Sequence, residues 1–214
     1  MPFITDRTIT ENEQLSGRYR KPDTPLQTAP GCRKRGAERL VSALLEWDDE
    51  DLKELGAMIY SVPERIGRCP GCAAWAEKGK LCGICSDNSR DNGILCVVET
   101  MAQMLAVEKG GSYRGRYLIL GGKLSPLDGE NGENLNFGML EKAAKSGKYK
   151  EIILALSPDV EGRATAAYLT ELLADCPVTL SQPAMGLPAG SNLSFADSAT
   201  ISAAFSGRRN ISGK

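Results

Sequence analysis

Two cysteine pairs are the residues with the clearest chemistry. Cys69-Pro-Gly-Cys72 and Cys82-Gly-Ile-Cys85 are separated by nine residues, a spacing that suits one tetrahedral site. Four soft thiolates satisfy Zn²⁺ and leave no position for a reactive water, so the expected ion is structural, one per chain. A disulfide pair or a redox dithiol are the competing readings; two knuckles are one more than a redox site needs, and no secretory leader is visible. A second stretch, Ser157-Pro-Asp-Val-Glu-Gly-Arg163, places acids after an apolar run. Phosphodiester enzymes hold Mg²⁺ with acids in such a place. Glu99, after Leu-Cys-Val-Val, is expected to converge with Asp159 and Glu161 at the carboxyl ends of neighbouring strands. Arg163, one step beyond Glu161, is placed to neutralise that cluster, which makes Mg²⁺ weakly held or absent. A solvated acidic loop before a helix N-terminus is the simpler alternative for the pair.

A third stretch is cationic. Pro30-Gly-Cys-Arg-Lys-Arg-Gly-Ala-Glu-Arg39 puts a Pro-Gly turn before a helix start, where unpaired N–H groups and adjacent charge receive phosphate. Arg33, Lys34, Arg35 and Arg39 are the candidate DNA contacts. Residues 18–39 hold seven basic residues against two acids, in a chain of net charge −1. Any attraction to nucleic acid must therefore be local. The chain has no histidine, which removes every Ser-His, Cys-His and His-metal mechanism.

The elements that must position these residues follow from periodicity. Composition, 42% hydrophobic and 25% charged over 214 residues, is that of a globular protein. Its apolar runs are too short to span a bilayer, so no membrane role and a cytoplasmic address are expected. Residues 1–29 lack sustained periodicity and read as an irregular arm. Ala37, Leu40, Val41, Leu44 and Leu45, then Leu52, Leu55, Ile59 and Val62, keep helical spacing and predict two amphipathic helices, the second ended by Pro63. A cysteine-rich loop region runs to about residue 92. Strands are then expected at 94–98, 117–120, 152–156 and 178–180, with helices at 101–109, 135–146 and 164–174. That alternation predicts an α/β fold with a parallel sheet and crossover helices. Cys96 and Cys176 read as small buried hydrophobes.

Taken in order, these pieces resemble the RecR family of bacterial recombination mediators. The likeness rests on Arg-Gly-Arg-Tyr-Leu-Ile-Leu-Gly-Gly-Lys-Leu-Ser-Pro-Leu-Asp-Gly (114–129), Leu-Cys-Val-Val-Glu (95–99), Ser-Pro-Asp-Val-Glu-Gly-Arg-Ala-Thr (157–165), Gly-Leu-Pro-Ala-Gly-Ser-Asn-Leu-Ser-Phe-Ala-Asp (186–197) and Gly-Arg-Arg-Asn-Ile (207–211). It covers residues 30–211. The resemblance implies a partial helix-hairpin-helix at 30–66, a four-cysteine zinc module at 67–92, a Toprim domain at 93–182 and a C-terminal segment at 183–214. It also implies a non-enzymatic protein that acts with RecO- and RecF-like partners to load RecA at single-stranded gaps, and a homo-oligomer that in the family takes the form of a tetrameric ring. The family's DNA-contacting lysine and arginine become Arg35 and Arg39. This chain departs from the family at Arg33, Leu118, Asp159 and Arg163. An active Toprim pattern, Asp-x-Asp-x-Glu-Gly-Glu, is met only in part, with Ser157 first and Arg163 last. Two alternatives remain: a Mg²⁺-dependent Toprim nuclease, primase or topoisomerase, and a divergent paralogue that serves only protein interaction.

Overall fold

The structure, a computed structural model, describes residues 25–125, 132, 134–187 and 190–208. The arm at 1–24 and parts of the quoted motifs (126–129, 188–189 and 209–211) lie outside the described residues. The chain divides into two compact units, Met1–Val62 and Pro63–Lys214.

In the first unit, a single helical turn at Pro25–Thr28 leads through Gly31, at φ +82°, into the helix Lys34–Leu44. A left-handed turn of this kind is open to glycine and strained for other residues. The next helix, Asp49–Arg65, starts where the Asp48 carboxylate accepts from the Glu50 and Asp51 amides at 3.0 and 2.9 Å, a capping interaction. It continues two residues past Pro63, where the sequence pattern puts its end. A proline removes one amide donor, but its φ is helical, so the last turn can close around it.

The second unit opens with a hairpin of β1 (Ile66–Arg68) and β2 (Trp75–Glu77), followed by the short helix Gly83–Ser86. The region expected as loop is thus built on a two-stranded ribbon. Its centre is a four-stranded parallel sheet of β3 (Ile94–Val98), β4 (Arg116–Ile119), β5 (Glu151–Leu154) and β6 (Thr179–Ser181), in the order β4-β3-β5-β6. Helices Met101–Gly110, Phe137–Lys145 and Val160–Leu172 cross between the strands. A one-turn 3₁₀ helix, Leu193–Phe195, and the helix Ser198–Ser206 follow.

The two-residue alternation of the strands sorts two cores. Leu95, Val97, Leu118 and Ile152 pack with Leu140 and Leu169 on one face. Cys96, Val98, Tyr117 and Ile119 pack on the other, against Met104 and the buried Cys69, Cys72, Ala73 and Ala74. The cysteine module is therefore part of the sheet's second layer, and the segments 67–92, 93–182 and 183–214 lie in one compact unit.

Candidate metal centre and nucleic-acid surface

The four cysteine sulfurs lie within 4.8 Å of one another, the only such ligand cluster among the described residues. All seven cysteines are free thiols. Cys69 directly follows β1: its amide donates to Ala74 O at 2.7 Å and its carbonyl accepts from Ala73 N at 2.9 Å. Ala73 takes a left-handed φ of +62° to close this knuckle. A Cβ at Gly71 would crowd Cys85 Sγ at 3.1 Å. In the second knuckle, Cys82 caps the helix Gly83–Ser86, its sulfur accepting from Cys85 N at 3.4 Å, while Cys82 N donates to Cys69 Sγ at 3.3 Å. Backbone N–H groups aimed at sulfur favour thiolate. The hydrogen bond between Cys72 and Cys85 pushes the Cys72 thiol up and brings Cys85 down to about 6. The donor set fits a soft divalent ion in a closed shell.

Two buried arginines hold this module to the sheet. Arg116, on β4, donates to Asn92 Oδ1 at 2.8 Å, to Asp87 O at 2.7 Å and to Ile84 O. Arg90 donates to Gly115 O at 3.1 Å and forms a two-point pair with Glu108, which also accepts from Tyr117 Oη at 2.7 Å. Ile119 N donates to Cys72 O at 2.9 Å, so the first knuckle continues the hydrogen bonding of the sheet's edge strand.

Glu99 follows β3 and is only 5% exposed. Its Oε1 accepts from Ser157 N at 2.6 Å, and its Oε2 accepts from Ser157 Oγ at 2.8 Å and Gln103 Nε2 at 2.9 Å. Gln103 in turn accepts from Glu99 N at 2.8 Å and completes a capping box with Thr100 at the start of Met101–Gly110. Both carboxylate oxygens are thus engaged by the protein, tying the ends of β3 and β5.

Asp159 and Glu161 belong to a different set. Asp159 caps the helix Val160–Leu172 by accepting from Gly162 N at 2.7 Å, and Lys123 Nζ lies 2.6 Å from its Oδ2. Lys123 also lies 3.2 Å from Glu161 Oε2, and Ser125 Oγ donates to Glu161 Oε1 at 3.1 Å. Lys123 holds the Asp159 carboxyl below the usual range, helped by the Gly162 amide. The neutralising cation is therefore Lys123. Arg163, expected in that role, donates to Pro158 O at 3.3 Å and adds only a weaker pull on the Asp159 carboxylate. The three carboxylates do not form one metal-ligating cluster among the described residues. Gly162 is obligatory for this loop, since a Cβ would lie 2.0 Å from Ser157 O.

Arg33, Lys34, Arg35 and Arg39 are all exposed around the start of the helix Lys34–Leu44. Arg33 occupies the N-cap without a side-chain cap bond, so among the described residues no cap side chain covers the first-turn amides. Gly31, Cys32, Gly36, Arg39 and Leu40 line an open groove of about 580 Å³ beside it.

Lys123, Gln103, Arg90 and Arg116 were not among the candidate residues, and Ser157 was legible only as a missing acid. Thr100-x-x-Gln103 carried a signal, the capping-box spacing. Lys123 and the two arginines carried none, because their partners are long-range.

Over 181 residues, 85% of this chain and 90% of the relative, the sequence is 42% identical to a protein of Paenarthrobacter aurescens (strain TC1) named "Recombination protein RecR". The chain belongs to the RecR family. A protein of the same name from Magnetococcus marinus (strain ATCC BAA-1437 / JCM 17883 / MC-1) is 40% identical over 182 residues, again 85% of this chain and 90% of that one. Residues 93–183 match the Toprim domain family and residues 186–209 match the family described as RecR, C-terminal. The Toprim match begins at the turn before β3 and ends after β6, so it contains Glu99, Lys123, Asp159 and Glu161. No helix among the described residues is long and apolar enough to cross a membrane.

Proposed function

We propose that this RecR-family chain is a DNA-binding recombination mediator that performs no phosphodiester chemistry. It engages single-stranded or gapped DNA through phosphate, without reading sequence, and works with RecO- and RecF-like proteins to place RecA. The observation that carries the DNA reading is the exposed cationic turn of Arg33, Lys34, Arg35 and Arg39 at an uncapped helix start. The non-enzymatic reading rests on Glu99: both of its oxygens accept short hydrogen bonds from Ser157 and Gln103, which leaves it poorly placed to hold Mg²⁺ or move a proton. Lys123 supplies the charge that a metal would otherwise bring to Asp159 and Glu161.

Cys69, Cys72, Cys82 and Cys85 hold one structural Zn²⁺, which supplies folding energy to a hairpin too small to fold on apolar burial alone. The protein acts in the cytoplasm as a homo-oligomer, the tetrameric ring being the form that lets weak contacts add along one DNA. Electrophoresis of labelled gapped DNA with the protein and Mg²⁺ tests the reading. Retarded, intact DNA is expected. Cleavage or relaxation that disappears in Glu99→Gln would overturn it.

A further inference from the structure

The cysteine hairpin carries a feature that metal binding does not explain. Trp75 opens β2 and is 52% exposed, although a tryptophan left in water forgoes more burial energy than any other side chain. Its cross-strand partner in the register is Arg68, so both side chains stand on one face of the ribbon. The Arg68 guanidinium lies over the indole at 3.8 Å from the ring centroid, and Arg68 Nη1 donates to Ala73 O at 3.2 Å. The ring is thereby clamped from one side by a cation that is itself anchored to the knuckle. What remains in solvent is a rigid aromatic plane.

The surroundings are cationic. Residues 64–80 contain Arg65, Arg68, Lys78 and Lys80 against Glu64 and Glu77; on the Trp75 face of the ribbon Glu77 is paired with Lys80 at 2.8 Å, which leaves Arg68 as the charge there, while Lys78 lies against Gly67 on the other face and donates to Pro63 O at 3.5 Å. In a chain of net charge −1, an exposed indole among excess positive charge fits a polyanion with aromatic faces. A duplex keeps its bases stacked on one another; a single strand offers them.

We infer that Trp75, backed by Arg68, is a stacking platform for one base of single-stranded nucleic acid, with the net positive charge of the hairpin drawing the phosphate backbone toward it. The site rests on the DNA-binding reading above but uses a different unit of the chain from the basic turn, so each can fail alone.

Trp47 is the other tryptophan, so a Trp47→Phe background leaves Trp75 as the sole indole. Its fluorescence should be quenched by oligothymidylate and left nearly unchanged by an abasic oligomer of equal length. Trp75→Leu should bind oligothymidylate about ten-fold more weakly, the loss of one stacked base, with zinc content and salt dependence unchanged. Trp75→Phe, which keeps a smaller ring, should fall between the two and guards against a misfolded Leu variant. Wild-type affinity in Trp75→Leu, together with weakened binding in Arg35→Ala/Arg39→Ala, would sink the platform and leave the basic turn standing. Indole fluorescence unmoved by an oligomer that binds would sink it as well. Loss of binding in Trp75→Leu but not in the double arginine variant would support it and displace the basic turn.

Discussion

If Glu99 is a strut between β3 and β5, replacing it with glutamine should destabilise the protein; a carboxylate held for chemistry gives the opposite sign. Acids gathered for catalysis or metal binding repel when empty, so neutralising one tends to stabilise. Glu99 instead accepts three bonds, from Ser157 N at 2.6 Å, Ser157 Oγ at 2.8 Å and Gln103 Nε2 at 2.9 Å. A glutamine offers one acceptor oxygen. With that oxygen toward Ser157 N, its NH₂ faces the Gln103 NH₂, and one donor in a site 5% exposed loses an acceptor. Bonds to a charged group contribute about 1.5–3 kcal/mol each and bonds between neutral groups about 0.5–1.5. Weakening two and losing one costs about 3.5–6 kcal/mol. For a domain of this size that lowers Tm by about 7–24 °C. Ser157→Ala, which keeps the 2.6 Å backbone bond, should cost about 1 kcal/mol. Non-additivity with Glu99→Gln would localise the coupling to this pair. Thermal unfolding followed by circular dichroism measures both. An unchanged or raised Tm for Glu99→Gln would refute the strut.

Elemental analysis should find one Zn²⁺ per chain, and Cys82→Ser should lose it and raise hydrogen exchange in β1, β2 and the Gly83–Ser86 helix while the core of the sheet stays protected; zinc-free protein with a protected hairpin would contradict this. The Arg90–Glu108 pair gives a pH dependence. Arg90 holds the Glu108 carboxyl below the usual range, against an opposing effect of burial. A depressed folded pKa means that the stabilisation is complete above the unfolded value near 4.3 and is lost as pH falls through the lower folded value. Stability should therefore drop below about pH 4, and Glu108→Gln should be less stable at neutral pH but less sensitive to acid; an unaltered acid limb in denaturant titrations would count against the pair.

The sheet was legible because its strands are short apolar runs separated by helical periods, and each expected strand falls within two residues of an observed one. The cysteine spacing was legible for the same reason, since the ligands of each knuckle are neighbours in sequence. The hairpin around them was not. Ile-Gly-Arg and Trp-Ala-Glu are three-residue strands without apolar alternation, held in place by the knuckle and by bonds such as Lys78 N to Arg65 O at 2.8 Å. Lys123 was hidden because its partners are 36 and 38 positions away, a distance at which spacing carries no information. The placement of Glu99 in a closed hydrogen-bond set, instead of an open acidic crevice, depended on Ser157, whose residue type alone said only that an acid was missing.

Phosphate contact by the basic turn is tested most directly by the salt dependence of single-stranded DNA binding. Each phosphate contact adds about 0.7 to the slope of log affinity against log salt on single strands. Arg35→Ala/Arg39→Ala should therefore bind every sequence more weakly and lower that slope by about 1.4 per chain. A double variant with the wild-type slope and affinity would contradict phosphate contact by Arg35 and Arg39.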